Sequence, residues 1–259
     1  MSSETPKLPS TYTWDYTVKT YDTDCNCVLR PSVLLRLLQE VGEMHLQCTD
    51  LGYTQLNEMG LYFVLLQTNN VINRLPKLEE KIKVKTWHRD SKGVRFYRCY
   101  QILDTDDNVL AESVGVFVLV DLETHKVLRP NVFYDLGVSA QPDMLGGCPD
   151  PTPIKVNLDD TDFCDKRKFH WSDTDWNKHT NNTIYADIMC DALSDLMIDE
   201  TKKLSAFSIA YIKETCIGDE IDIQKVVTLS DNTENALVAG VFADKTLCFE
   251  ASLRFDCVD

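Results

Sequence analysis

Apolar residues fall on two helical stripes that share one register. Leu34, Leu37, Leu38 and Val41 recur at i, i+3, i+4 and i+7 within RPSVLLRLLQEVGEMHLQC. Tyr185, Ile188, Met189 and Ala192 repeat that spacing at an offset of 151 residues, within NTIYADIMCDALSDLM. Each pattern predicts a long helix with one buried face. Pro31 suits a first helical turn, where a missing N–H costs nothing, and Asn181 or Asn182 can cap the second helix.

After each helix the period changes to two. LYFVLLQTNNV, EKIKVKTWHRD, VRFYRCYQILD and VLAESVGVFVLVD come after the first; SAFSIAYIKE, DEIDIQKVVTLS, ENALVAGVFAD and TLCFEASLRFD come after the second. Alternation and β-branched enrichment predict four strands in each half. SKG, DTDDN, SDNTE and ADK predict short turns between them, hence antiparallel pairing. One more strand is expected at the start of each half, in YTWDYTVKTY and RKFHWSD. The fold class is α+β, with a unit of strand, polar loop, helix and four antiparallel strands occurring twice, each helix laid on a curved sheet. RPNVFYDLGVSAQPDMLGGCPDPTPIKVNLDD is rich in Pro, Gly and Asp and weakly periodic, and reads as the linker. The expected bounds are 1–129 for the first unit, 130–160 for the linker and 161–259 for the second unit. Tandem units allow the sheets to pair edge to edge or face to face, which protects edge strands.

The polar loops before the helices repeat as well. Asp22-Thr23-Asp24 and Asn26 match Asp173-Thr174-Asp175 and Asn177 at the same offset of 151. Asp, Thr and Asn all hydrogen-bond local backbone, so DTD-x-N can serve as turn and cap alone, and that is the reading for the first copy. The second copy continues to His179, Asn181 and Asn182, where the first has Val28 in place of the histidine.

Composition narrows the function. The 259 residues are 44% hydrophobic, enough for one large core or two small ones. A net charge of −15 argues against a nucleic-acid partner, which needs a concentrated basic surface. Runs such as VGVFVLV are too short to span a membrane, and MSSETPKLPS lacks the pattern of a signal peptide, so a cytoplasmic location is the expectation. The ten cysteines are scattered, with no C-x-x-C and no zinc-type spacing. Reduced thiols and no metal or other cofactor are expected.

One strand, a polar loop and a long helix wrapped by an antiparallel sheet resembles the hotdog fold. Two such units in one chain, with D-x-N-x-H-x-N-N opening the second helix, resemble the acyl-acyl carrier protein (acyl-ACP) thioesterases of plants and bacteria. The resemblance covers nearly the whole chain and rests on the repeat, on Asp175, Asn177, His179, Asn181 and Asn182, and on YIKETCIGDEI (Tyr211–Ile221). It implies hydrolysis of fatty acyl-ACP to free fatty acid and ACP, ending chain elongation. It implies catalytic roles for Asp175, Asn177 and His179, with Glu214 as the acidic residue of a facing strand. The first unit would shape the acyl pocket around a degenerate site; its position equivalent to Glu214 is about Leu75. Plant members carry a Cys directly after that Glu, whereas here the residue is Thr215 and Cys216 comes next. The partner implied is acyl carrier protein, and a homodimer is compatible with the fold.

Thioester hydrolysis requires a base, a donor for the developing oxyanion and a fixed acyl chain. Glu214 or Asp175 can take a proton from water, and His179 can share that role or orient the water. Asn177 can hold the His or a carboxylate. Backbone N–H groups around Asn181 to Ile184 can face an oxyanion. Covalent alternatives are attack by Asp175, or by Cys216 with His179 as base; Cys216 shares a strand face with Glu214. Leu34, Leu37, Leu38 and LYFVLL either line an acyl pocket or form ordinary core. The basic groups His88, Arg89, Lys92, Arg95 and Arg98, and Lys166 to Lys168, either meet the acidic carrier or are solvated strand-face charge. His45, His125 and His170, with His88, read as structural or surface residues, and Trp176 as packing. An acyl-CoA thioesterase, a hotdog dehydratase and a non-catalytic acyl-binding protein are the alternatives.

Overall fold

The computed structural model describes residues 8–49, 51–230 and 233–257. The N-terminal MSSETPK and residues 231–232 of the SDNTE turn lie outside the described residues. The first half runs β1 (Tyr12–Thr17), α1 (Pro31–Gln47), α2 (Tyr53–Glu58), β2 (Leu61–Ile72), β3 (Lys81–Lys92), β4 (Arg95–Leu103) and β5 (Val109–Asp121). A short helix, α3 (Asn131–Tyr134), comes next. The second half runs β6 (Asp162–Lys168), α4 (Ile184–Ala192), α5 (Ser194–Ile198), β7 (Lys202–Tyr211), β8 (Glu220–Ser230), β9 (Thr233–Val241) and β10 (Leu247–Cys257).

All ten strands belong to one antiparallel sheet, ordered β1-β3-β4-β5-β2-β7-β10-β9-β8-β6. The two halves therefore join edge to edge, through β2 and β7, with Gln67–Val71 opposite Ala206–Ala210. This seam explains the run QTNN, an odd sequence for a central strand. Ser208 Oγ donates to the Thr68 carbonyl at 2.8 Å, Gln67 Nε2 donates to Ser208 Oγ at 3.1 Å, and buried Asn70 donates to the Phe207 carbonyl at 3.2 Å. Polar side chains in the middle of a sheet stay only when they find such partners.

Helices α1 and α4 lie side by side on one face of the sheet. Leu34, Leu38 and Val41 share a single buried cluster with Tyr185, Met189, Phe207 and Phe249, so the two halves have one continuous core. The second helix holds its whole stripe but ends before the close of the segment NTIYADIMCDALSDLM. It stops at Ala192, whose carbonyl accepts from Lys225 Nζ at 2.7 Å, while Ser194 Oγ donates to the Asp191 carbonyl at 2.6 Å. Those side chains satisfy the last turn and release the chain into the separate α5. The strand expected in RKFHWSD also lies earlier, at Asp162–Lys168, and Trp171–Asp173 forms a 3₁₀ turn instead.

The segment between the halves is weakly regular but firmly docked. Phe133 is buried with Phe63 and Phe96. Trp87 Nε1 donates to the Met144 carbonyl at 2.6 Å, Gly147 N–H to Glu112 at 3.0 Å, and Val156 N–H to Glu250 at 2.8 Å. Asp150 pairs with Arg89 at 2.6 Å and Lys92 at 3.0 Å.

Those pairs change the picture of the basic hairpin. His88, Arg89 and Arg98 are buried, and Lys92 is neutralised by Asp150; of that group only Arg95 is both exposed and without an ion pair among the described residues. Lys166 pairs with Glu220 and Asp222, and Arg167 with Asp173. Among the described residues, Lys168 of the second stretch and Arg95 of the first are the basic side chains left exposed and without an ion pair, so neither stretch is a continuous unpaired cationic patch.

The two buried histidines couple the fold to pH. His45 Nε2 lies 2.8 Å from the Pro9 carbonyl and its Nδ1 2.9 Å from Arg98 Nη1; burial and then the Arg98 charge push its pKa down to about 4. Burial, with Arg98 and His45, pushes His88 down to about 3. Both are neutral when folded and take up protons on unfolding, so their stabilisation is complete above pH 6.5, the ordinary histidine value, and is lost as pH falls toward 4 and 3. The melting temperature is expected to fall between pH 7 and pH 4 in thermal unfolding, and His88→Gln is expected to make that fall shallower.

Candidate active site

The two DTD loops have the same backbone. Asp24 Oδ1 accepts from Asn26 N–H at 2.9 Å, and Asp175 Oδ1 from Asn177 N–H at 2.8 Å. Isolated bridges Thr23–Leu29 and Thr174–Thr180 close both loops. Cys27 and Lys178, at equivalent positions, both have left-handed φ, 58° and 67°. Buried Asp22 and Asp173 each accept the N–H three residues back, from Lys19 at 2.7 Å and His170 at 2.8 Å. The shared residues thus build the corner between strand and helix, through Asx turns.

Beyond the corner the two halves diverge. His179 bridges to Cys216 in backbone pairing, as Val28 bridges to Lys77. The segment facing each loop therefore aligns Glu214 with Leu75; it follows β7 or β2 and is not itself strand, so Glu214 and Cys216 do not share the strand face expected of them. In the second half this brings His179 Nδ1 to 3.2 Å from Glu214 Oε2, with both side chains partly exposed. In the first half the same two positions hold Val28 and Leu75 and carry no titratable group. The contact to Glu214 occupies Nδ1, which leaves Nε2 of the imidazole free of the carboxylate.

A cavity of about 530 Å³ is lined by residues of both halves; Asp175 and Asn177 line it, whereas His179 and Glu214 do not. Its interior belongs to the first half, with Leu35, Leu38, Gly42 and Leu46 of α1 on one side and Phe63, Phe96, Phe117 of the sheet on the other. Asp175, Trp176, Asn177, Asn182 and Thr183 of the second half contribute to its lining, and the exposure of Trp176 and Asn177 makes this end the mouth. Tyr62 also lines the cavity, and its hydroxyl pKa is raised by burial and then by the Glu214 charge. Of the helix residues expected to contact an acyl chain, Leu38 lines the cavity, while Leu34 and Leu37 pack into the core.

Asn177 is held from the other half. Tyr53, the first residue of α2, donates its hydroxyl to Asn177 Oδ1 at 2.8 Å, and its ring meets Trp176 edge-on with centroids 3.7 Å apart. The Tyr53 N–H is itself fixed by Glu43 at 2.7 Å. With its oxygen occupied, the Asn177 amide presents its NH₂ as a donor. Tyr53 carries no motif and lies 124 residues from Asn177, so no local pattern announces it.

The backbone amides at the second helix start are less available than their position implies. Asn181 N–H donates to the Asp173 carbonyl, Thr183 N–H to Asn181 Oδ1, and Ile184 N–H to the Asn181 carbonyl. Of these four, only Asn182 N–H has no protein partner among the described residues. Neither Asn181 nor Asn182 is the cap: the N-cap is Thr183, which makes no side-chain capping hydrogen bond, and Asn181 closes a turn onto its N–H and hydroxyl instead.

Neither candidate hydroxyl or thiol after Glu214 resembles an activated nucleophile. Thr215 is fully buried and hydrogen-bonds Thr180 Oγ1 at 2.6 Å and Tyr185 at 2.8 Å. Cys216 is exposed, but burial of its sulfur and the charges of Asp219 and Glu214 raise its pKa, opposite to what a thiolate nucleophile needs. All ten cysteines are free thiols. No cluster of metal-ligating side chains occurs among the described residues, and no helix among them is long and apolar enough to cross a membrane.

These features define a class: a tandem hotdog protein, with a cavity in one unit and a histidine–carboxylate pair in the other. Residues 9–132 match the acyl-ACP thioesterase N-terminal domain and residues 157–242 the acyl-ACP thioesterase C-terminal domain. The chain belongs to the acyl-ACP thioesterase family, enzymes that hydrolyse acyl-ACP thioesters. Its fold is similar to that of an acyl-ACP thioesterase from Bacteroides thetaiotaomicron, at 22% identity and TM-score 0.80 over 95% of this chain and 98% of that one. The 12:0-ACP thioesterase from Umbellularia californica is similar at 16% identity and TM-score 0.82 over 96% and 94%. A Lactobacillus plantarum protein described as an oleoyl thioesterase is similar at 18% identity and TM-score 0.83 over 96% and 97%. No curated protein sequence matches the chain.

Iodoacetamide alkylation of Cys216, monitored by peptide mass spectrometry across pH, is expected to rise with a midpoint above that of a free cysteine peptide. A midpoint below it would restore Cys216 as a nucleophile.

Proposed function

We propose that the protein releases fatty acids from acyl-ACP, and so ends chain elongation, by activating water at His179. The observation that carries this reading is the joining of two halves at one point: the cavity of the first unit has its mouth at Asp175, Trp176 and Asn177, in the loop that leads to the His179–Glu214 pair. In this reading the acyl chain lies along α1 and the thioester stops at the mouth. Glu214 accepts the Nδ1 proton and fixes the tautomer. Nε2 of His179 then takes a proton from water as the water attacks the carbonyl carbon, and the same proton passes to the departing pantetheine sulfur.

The Asn177 NH₂, oriented by Tyr53, and the Asn182 N–H are the donors available for the oxyanion. Asp175 maintains the turn that presents Asn177 and leaves its second carboxylate oxygen at the mouth. A covalent route through Cys216 is disfavoured by the raised thiol pKa. The carrier protein is the partner in this reading.

Thiol release from acyl-ACP, measured with a thiol-trapping dye beside the matching acyl-CoA, tests the proposal. ACP is expected to be the better donor; an enoyl product without thiol would indicate a dehydratase. His179→Ala and Asn177→Ala are expected to lower turnover about 10²-fold or more, Glu214→Gln to do likewise, and Cys216→Ala to have a mild effect.

Tyr53→Phe keeps the ring on Trp176 and removes only the hydroxyl. It is expected to lower kcat about tenfold with little change in KM, and to have no further effect in an Asn177→Ala background. Independent, multiplying losses in the double variant would detach Tyr53 from Asn177.

A further inference from the structure

The cavity holds a cation that makes no ion pair within 4.0 Å among the described residues, although Glu40, Glu43 and Asp175 also line it. Arg98 of β4 is 9% exposed and lines the cavity. It lies directly under α1, where a Cβ on Gly42 would stand 3.6 Å from its Cδ and 3.4 Å from the Tyr100 hydroxyl. Its guanidinium donates from Nη1 to His45 Nδ1 at 2.9 Å and to Thr86 Oγ1 at 3.3 Å. These are its only side-chain hydrogen bonds among the described residues, and no carboxylate among those residues approaches it within 4.0 Å. Glu43 lines the same cavity, but its carboxylate is engaged by Tyr53 N–H and by Gln47 Nε2 at 3.0 Å. His45 and His88 are neutral at pH 7, whereas an arginine keeps its charge.

Other polar groups line the same region. Tyr100, Ser113 and Thr68 face the cavity with Arg98, and the Ser113 and Thr68 hydroxyls are 3.3 Å apart. Arg98, Gly115, Thr68 and Ile209 form one row across β4, β5, β2 and β7. Three strand spacings place Arg98 about 14 Å along the sheet from β7, the strand that leads to Glu214. The charge therefore lies three strands across the sheet from the strand that leads to Glu214. A purely hydrocarbon chain reaching this point would remove water from a guanidinium and return no hydrogen bond, which is costly.

We propose that the acyl group taken by this cavity carries an oxygen function, a hydroxyl or a carboxylate, at its far end, received by Arg98 together with Ser113 and Thr68. This rests on the acyl-ACP reading and specifies its substrate class. An acceptor oxygen would complete the guanidinium's hydrogen bonds, and a carboxylate would also balance its charge.

The test uses acyl-ACPs of equal length that end in methyl, hydroxyl or carboxylate, at several lengths, with thiol release as the readout. The wild-type protein is expected to show kcat/KM about tenfold or more higher for an oxygen-ended chain than for its methyl-ended counterpart at the length that reaches Arg98. The hydroxyl and carboxylate arms separate hydrogen bonding from charge pairing. Arg98→Met is expected to abolish or reverse that ratio. Should that variant not fold, Ser113→Ala and Thr68→Val, which remove no charge, are expected to reduce the ratio. Methyl-ended chains preferred at every length, or a ratio that Arg98→Met leaves unchanged, overturns the inference while the thioesterase reading stands. Thiol from none of the donors overturns both.

Discussion

The pairing of β2 with β7 is the contact on which the other features depend. Five residue pairs, Gln67–Val71 against Ala206–Ala210, turn two sheet edges into interior strands and remove two sites of unwanted association. The same contact sets α1 beside α4 over one core. It also fixes where each half faces the other: α2 meets the loop from Asp175 to Asn177 through Tyr53. Without that seam the cavity of the first unit would lack the lining that this loop contributes. The polar run in β2 serves this seam and the docked linker together, since Asn69 donates to the Pro149 carbonyl and Gln67 to that of Thr152.

The two halves carry complementary parts. Both retain the Asx-turn corner, because Asp24 and Asp175 are needed to turn the chain into a helix whether or not chemistry occurs there. At the positions that face each other across this corner, one half has Val28 and Leu75 and the other His179 and Glu214. The first half instead carries the cavity, and with α2 it supplies Tyr53, which fixes the amide of Asn177. The family assignment follows from both halves matching, and the geometry explains why a single half would not suffice.

Charge is distributed in the same divided way. The basic side chains that look like a surface patch in sequence are drawn inward: Arg89 onto Asp150, Arg98 beneath α1, and Arg167 onto buried Asp173. Arg98 differs from the others in having no acid to meet. Beside it, His45 and His88 are kept neutral by burial and by the guanidinium itself, so Arg98 is the positive charge of a cavity whose acids, Glu40, Glu43 and Asp175, make no ion pair with it.

Period and turn chemistry are local properties, so linear pattern alone carried the repeat, both helix stripes, the eight strands after the helices and their antiparallel order. It also singled out His179 and Glu214, through the difference between DTDWNKHTNN and DTDCNCVLRP and through a resemblance. Everything that depends on distant residues was settled only in three dimensions. The break at Ala192 comes from Lys225, 33 residues away. The orientation of Asn177 comes from Tyr53, and the burial of Arg98 from a helix that approaches at Gly42. The amides at the second helix start, free by the general rule for helix ends, are taken up by Asp173 and Asn181 because the corner folds back on itself. For Lys225, Tyr53 and Arg98 the contact forms only once the chain has closed, and no short window of sequence contains both partners; the helix-start amides differ, since their partners lie within ten residues.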